Sequence, residues 1–241
     1  MSPTDDYRSF ADSSSAHPPT EEGLIMDART AWDYLTLEKG VEPGNIAVMG
    51  QSLGTGVSAG LCAELGDEGI TPRSMILVAP FSSLPSLLET YKLGNLIPVL
   101  APFRTFPWLL KTVLRVLNTR FDTRAIIHKI KCSILILHAQ NDPVIPHSHS
   151  STLFSHLLSL HPSSPPSSPS DLSPSDTSTS KESLSLVQTL QAGQWGTIQR
   201  FKREEEGAGD VVWAEAVKGA HNEIGTGEMS VRLIRDAVKG L

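Results

Sequence analysis

Cysteine is scarce: only Cys62 and Cys132 occur in 241 residues, far apart and inside apolar stretches. Two such residues cannot form the framework of a disulfide-stapled miniprotein, and their spacing matches no zinc knuckle, so both are expected as free thiols of the core. Basic charge is also in short supply. The net charge of -6 is spread along the chain, which argues against a nucleic-acid-binding surface. A long apolar run is missing as well. The most apolar window, Leu93 to Leu117, is interrupted by Pro98, Pro102 and Pro107 and carries Arg104 and Lys111, whereas a membrane span needs about 20 apolar residues with few charges. The first 23 residues are polar and contain no apolar core of a signal peptide. The expectation is an intracellular protein, cytoplasmic or peripheral to an internal membrane.

What is present suffices for one ordinary domain. Hydrophobic residues make up 39% of the chain, enough to bury a core at this length. One segment stands apart: residues 161–185 are almost entirely Ser, Pro, Thr and Asp, and they read as a disordered insertion within a single domain spanning 1–241. Elsewhere, apolar strand-like runs (Asn45 to Met49, Ser74 to Ala79, Ser133 to His138, Val211 to Val217) alternate with amphipathic stretches. Leu24, Ala28, Trp32 and Leu35 mark a helix that Thr20 caps, and Met229, Leu233, Ala237 and Leu241 mark the last one. Strand alternating with helix predicts an α/β fold, a mostly parallel sheet covered by helices on both faces.

The first strand runs into Gly50-Gln51-Ser52-Leu53-Gly54, and a helix is expected over Thr55 to Leu65. Strand, Gly-x-Ser-x-Gly, helix is the setting of a nucleophile elbow, in which Gly50 and Gly54 leave room for neighbouring backbone and Ser52 is held in a strained turn. A serine hydroxyl needs a base, and the base needs a group that fixes its tautomer. Asp142 lies in the loop after Ser133 to His138, and His221 follows the last strand, both at the carboxyl edge where open α/β sheets collect catalytic groups. Taken singly, Asp142 is also an ordinary turn residue of Asn-Asp-Pro and His221 an ordinary loop histidine. Their order and placement together favour a Ser52, Asp142, His221 triad, with the Leu53 N–H as one oxyanion donor. His147 and His149 near Asp142 could imitate a metal site, but no further ligand supports one. No metal or organic cofactor is expected.

These residues give the sequence a resemblance to the α/β-hydrolase superfamily, and among its branches to the abhydrolase-domain lipases that act on monoacylglycerols and lysophosphatidylserine. The stretches that carry it are Asp6-Tyr7-Arg8, Pro19 to Leu24, Gly50 to Gly56, Ala79-Pro80-Phe81-Ser82, Ile134 to Pro146 and Gly219 to His221. The resemblance implies a serine hydrolase that cleaves a lipid ester through an acyl-enzyme. An aminopeptidase or thioesterase of the same fold, or an inactive relative with a binding role, are the alternatives. Where such families continue their Asp-Tyr-Arg motif with glycines, Ser9, Ala11 and Ser15 stand here. The loop that normally supplies the second oxyanion donor precedes the point where this sequence starts, so the N-terminal strands are expected to be missing. Residues 81–129 fall where the superfamily often inserts a helical cap. Trp108, Leu109, Val113, Leu114, Val116 and Leu117 would line an acyl pocket and touch a membrane surface, or else form an ordinary core helix.

Overall fold

Four apolar segments pair in parallel to make the centre of one sheet: β1 (Ala47–Gln51), β2 (Ser74–Val78), β3 (Ser133–Ala139) and β6 (Val211–Ala216). The computed structural model describes residues 20–93, 120–160 and 186–240. Val48 lies opposite Met75, Met75 opposite Ile134, and Ile134 opposite Val211. Ser-Met-Ile-Leu-Val in β2 is buried at every position, which explains why its hydrophobicity is continuous rather than alternating. On one face Met75, Leu77, Ile134 and Ile136 pack with Ala59 and Cys62 of α2 (Leu53–Asp67) and with Leu153 and Phe154 of α5 (Ser148–Ser159). On the other, Ile76, Leu135 and Val212 meet Leu233, Ile234 and Ala237 of α7 (Glu228–Lys239). Helices therefore cover both faces, as the sequence pattern implies.

α2 is apolar nearly all round because it lies between the sheet and α1 (Glu21–Asp33), whose Trp32 packs on Leu61 and Leu65. The start of α1 is fixed by its cap: Thr20 Oγ1 accepts the Gly23 N–H at 3.1 Å. Glu21 Oε2 accepts the backbone N–H groups of Arg120 and Phe121 at 2.6 and 2.9 Å, tying α1 to the far end of the 81–129 segment. Within that segment the structure describes α3 (Leu84–Leu93) and, after residue 119, the one-turn α4 (Thr123–Ile126). Phe121, Ile127 and Ile130 are buried core residues. Trp108 and the apolar residues expected beside it lie outside the described residues, as do Asp6-Tyr7-Arg8 and residues 161–185. No helix among the described residues is long and apolar enough to cross a membrane.

Two features correct the sequence reading. β1 begins at Ala47 rather than Asn45 and extends through Gly50 and Gln51, which pair with Leu77 and Val78; Asn45 closes a tight turn opened by Pro43. Beyond β6 the sheet gains an antiparallel hairpin, β5 (Gly196–Phe201) and β4 (Gln188–Gln191), that no apolar run announces. β4 is exposed at all four positions, so it carries no hydrophobic signature.

Just past β5, Arg203 turns inward and is only 8% exposed. Its guanidinium donates to the carbonyl oxygens of Gly209 (2.6 Å), Lys131 (2.9 Å), Ile130 and Cys132. One side chain thus joins the chain entering β3 to the chain entering β6.

Candidate active site

Ser52 is the single residue between the end of β1 and the start of α2, and it adopts φ 52°, ψ -121°. A non-glycine residue in that region stores about 1–3 kcal/mol of strain, which the surroundings must over-determine. They do so through the Ser52 N–H, which donates to Val78 O at 3.0 Å, and through its carbonyl, which accepts the Thr55 N–H at 2.9 Å and the Thr55 hydroxyl at 2.6 Å. Gly50 is the close-packed glycine of the elbow. A Cβ there would lie 2.2 Å from Gly54 O and 2.6 Å from Ser58 Oγ, whereas a Cβ on Gly54 meets nothing within 4 Å. Gly54 contributes the carbonyl that Gly50 approaches so closely. Gly50→Ala should cost about 1–3 kcal/mol or more by overpacking and lower the thermal midpoint by several degrees. A midpoint equal to wild type would show that the elbow can relax around a methyl group.

Asp142 follows β3 and is fully enclosed, with none of its side chain exposed. Oδ1 accepts the backbone N–H groups of Val144 and Ile145 at 2.8 and 3.0 Å. Oδ2 accepts His221 Nδ1–H at 2.8 Å and lies 3.3 Å from His138 Nε2. Burial pushes the carboxyl up, but hydrogen bonds from His138, His221, Ile145 and Val144 outweigh it and hold the group down at about 2. The carboxylate is therefore ionised at any physiological pH.

His221 comes from the loop after β6, where Gly219 (φ 157°) and Ala220 (φ 41°) bend the chain into the one-turn α6 (Ala220–Glu223). Two side chains that the motif search did not single out hold this loop. Asn141 Oδ1 accepts the N–H groups of Gly219 and Ala220 at 3.0 and 3.1 Å, and Gln51 Nε2 donates to His221 O at 3.1 Å. The sequence signal for both was adjacency: Asn141 precedes Asp142, and Gln51 precedes Ser52. With Nδ1–H given to Asp142, the Nε2 of His221 keeps its lone pair, the state a general base requires. The structure thus brings Asp142 and His221 into direct contact and sets Ser52 on the strand end tied to the His221 loop. No hydrogen bond joins Ser52 Oγ to the His221 ring. Leu53 is the first residue of α2, so its N–H has no partner in the helix ladder and is available to an anion beside Ser52.

Competing chemistries find less support. Cys62 and Cys132 are free and buried. The Cys62 thiol is pushed well up by its hydrogen bond with Cys132 and by burial, the reverse of an activated nucleophile. His147 turns to Glu215 at 2.6 Å, and His149 to Ser82 and Thr90, so neither converges on Asp142. Among the described residues no group of three or more His, Cys, Asp or Glu side chains could hold a metal ion. Surface depressions of about 480 and 320 Å³ lie between α4 and α5, lined by Arg124 and His156 among others and by no triad residue.

Residues 22–150, more than half of the chain, match a family described as the alpha/beta hydrolase fold. Among curated proteins, the lysophosphatidylserine lipase ABHD12 of Gallus gallus is 32% identical over 146 residues, covering 59% of this chain and 36% of the relative. Protein ABHD12B of Homo sapiens is 30% identical over 152 residues, covering 62% of this chain and 39% of the relative. The chain therefore spans little more than a third of the length of these relatives. Among solved structures, an alpha-beta hydrolase from Vibrio vulnificus aligns with a TM-score of 0.44 at 22% identity, over 57% of this chain and 46% of that one.

Proposed function

Because the chain belongs to the alpha/beta hydrolase fold family, we propose that it is a serine hydrolase acting on a carboxylic ester of a lipid, a lysophospholipid or monoacylglycerol, through an acyl-enzyme on Ser52. The observation that carries this reading is the 2.8 Å contact between Asp142 Oδ2 and His221 Nδ1, at the carboxyl edge of the sheet that ends β1 in a strained serine. The lipid class follows the similarity of the chain to lysophosphatidylserine lipases of Gallus gallus and Bos taurus.

Ser52 Oγ attacks the ester carbonyl while His221 Nε2 takes its proton, so the new C–O bond forms as the carbonyl π electrons move to oxygen. The Leu53 N–H donates to that oxyanion. Collapse expels the alcohol, protonated by His221, and leaves Ser52 acylated; water then repeats the two steps and releases the fatty acid. Asp142, ionised and held by two backbone donors, keeps His221 in the tautomer that exposes Nε2 and stabilises the imidazolium.

A fluorophosphonate probe tests this reading, together with fatty-acid release from lysophosphatidylserine and monoacylglycerol. Stoichiometric labelling that vanishes in Ser52→Ala is the expected result. Labelling that survives Ser52→Ala would remove Ser52 from the reaction. A chain that neither labels nor releases acid would instead favour a binding role.

A further inference from the structure

A second imidazole sits on the carboxylate of the Asp142–His221 pair. His138, on β3, is entirely buried, yet it is not sealed in an apolar environment. Its Nε2 lies 2.9 Å from Ile145 O and 3.3 Å from Asp142 Oδ2, while Nδ1 lies 2.5 Å from Ser150 Oγ on α5. A carbonyl can only accept, so the hydrogen must be on Nε2, and it is shared between Ile145 O and Asp142 Oδ2. Nδ1 and the Ser150 hydroxyl share the second hydrogen bond of the ring. Each ring nitrogen is occupied, and the ring cannot flip without losing both contacts.

The consequences reach Asp142. Its Oδ1 is fixed by two backbone N–H groups of the 144–145 turn, which constrain that oxygen but leave the carboxylate free to swing about it. The partners of Oδ2 are the two imidazoles. One of them, His221, is the group that must change protonation state during turnover, so it is a poor fixed reference. His138 is the invariant one: buried on a central strand, locked by Ser150, and bonded to the carbonyl of Ile145, whose own N–H holds Oδ1.

We infer that His138 is a positioning residue of the triad, an Nε2–H donor that fixes Asp142 Oδ2 toward His221 while His221 takes up and releases a proton. This rests on the serine-hydrolase reading for its effect on turnover. The geometry of the carboxylate it explains does not depend on that reading. His138 acts through Asp142 and touches no substrate. Being close-packed between β3 and α5, it would otherwise be an ordinary satisfied core histidine, and the two roles make different predictions.

In His138→Leu, kcat should fall about 10- to 100-fold, since a small misplacement of a catalytic group costs up to ~10²-fold. KM should stay within about twofold. His138→Gln, whose side-chain N–H can reach the place of Nε2–H, should recover most of the loss. In an Asp142→Asn background, His138→Leu should cost nothing further, because the group it positions is gone. A folded His138→Leu with wild-type kcat, or a loss of equal size in both backgrounds, would overturn the inference. If His138→Leu does not fold, Ser150→Ala, which removes only the hydroxyl at Nδ1, is measured in the same two backgrounds against the same criteria. A readout independent of turnover separates this from failure of the functional reading. The downfield proton resonance of the hydrogen on His221 Nδ1 should be present in wild type and move or broaden in His138→Leu but not in His138→Gln. A chain with that pattern and no esterase activity would keep the positioning role and lose the reaction, whereas an active chain whose resonance is indifferent to His138 would lose the positioning role alone.

Discussion

Asp142→Asn should lower turnover by about 10⁴-fold, the size of the loss when a protease triad carboxylate is made an amide. The surroundings of Asp142 dictate which way the amide must face. The N–H groups of Val144 and Ile145 point at the Oδ1 site, so the asparagine carbonyl has to occupy it. Its NH2 then takes the place of Oδ2, where it presents a hydrogen to His221 and faces the Nε2–H of His138 donor to donor. His221 can accept that hydrogen only through Nδ1, which moves its own proton to Nε2 and removes the base from Ser52. Near-wild-type kcat/KM in this variant would mean that another carboxylate orients the base. The same substitution should also change acid stability. A carboxyl held at about 2, below its ordinary 3.8, stabilises the fold above pH 4, and the gain is lost as pH falls from about 4 to 2. With its side chain fully enclosed, the shift is worth on the order of 2 kcal/mol. Urea midpoints of wild type should therefore fall more steeply over that window than those of Asp142→Asn.

The largest loss of stability is expected at Arg203. Its replacement by methionine keeps the bulk but removes the guanidinium donor from the carbonyls of Ile130, Cys132 and Gly209, while Lys131 O keeps the Gly209 N–H. Each buried unsatisfied polar group costs about 1–3 kcal/mol, offset in part because a buried guanidinium no longer has to be desolvated. The net expectation is on the order of 3 kcal/mol, a drop of roughly 6–12 °C in the thermal midpoint for a domain of this size. Arg203→Lys should recover little, since an ammonium lacks the planar fork that reaches several carbonyls at once. A midpoint for Arg203→Met within about 2 °C of wild type would show that water or neighbouring groups take over the donors.

Arg203 also marks where the sequence stopped being informative. It sits in Lys202-Arg203-Glu204-Glu205-Glu206, which reads as a solvated charged turn, and the carboxylate that looks like its neighbour, Glu205, pairs with Lys131 instead. The elbow and the positions of Asp142 and His221 were legible because each depends on local order: a strand, a short motif, the next element. The parallel strands were legible because burial on both faces demands unbroken apolar runs. β4 and β5 were not, because an edge hairpin built from Gln-Thr-Leu-Gln and its partner needs backbone pairing more than a core. His138 looked like the last residue of an apolar strand, and only the approach of α5 and the 142–145 turn gives its ring something to do.

β3 and β6 are direct neighbours, with Ala139 opposite Ala216. Asp142 and His221 therefore leave adjacent strands, and their separation is set by a strand spacing of about 4.8 Å, although they stand 79 positions apart in the chain. The length of the loops in that interval does not enter their spacing. Residues added beyond the end of α5, or at the exposed 193–194 tip of the β4–β5 hairpin, lengthen a connection without moving either partner, at about 0.6 kcal/mol for each doubling. A protein engineer can graft a reporter there while the loops that carry Asp142 and His221 stay in register, because the hydrogen bonds of one strand pair hold them.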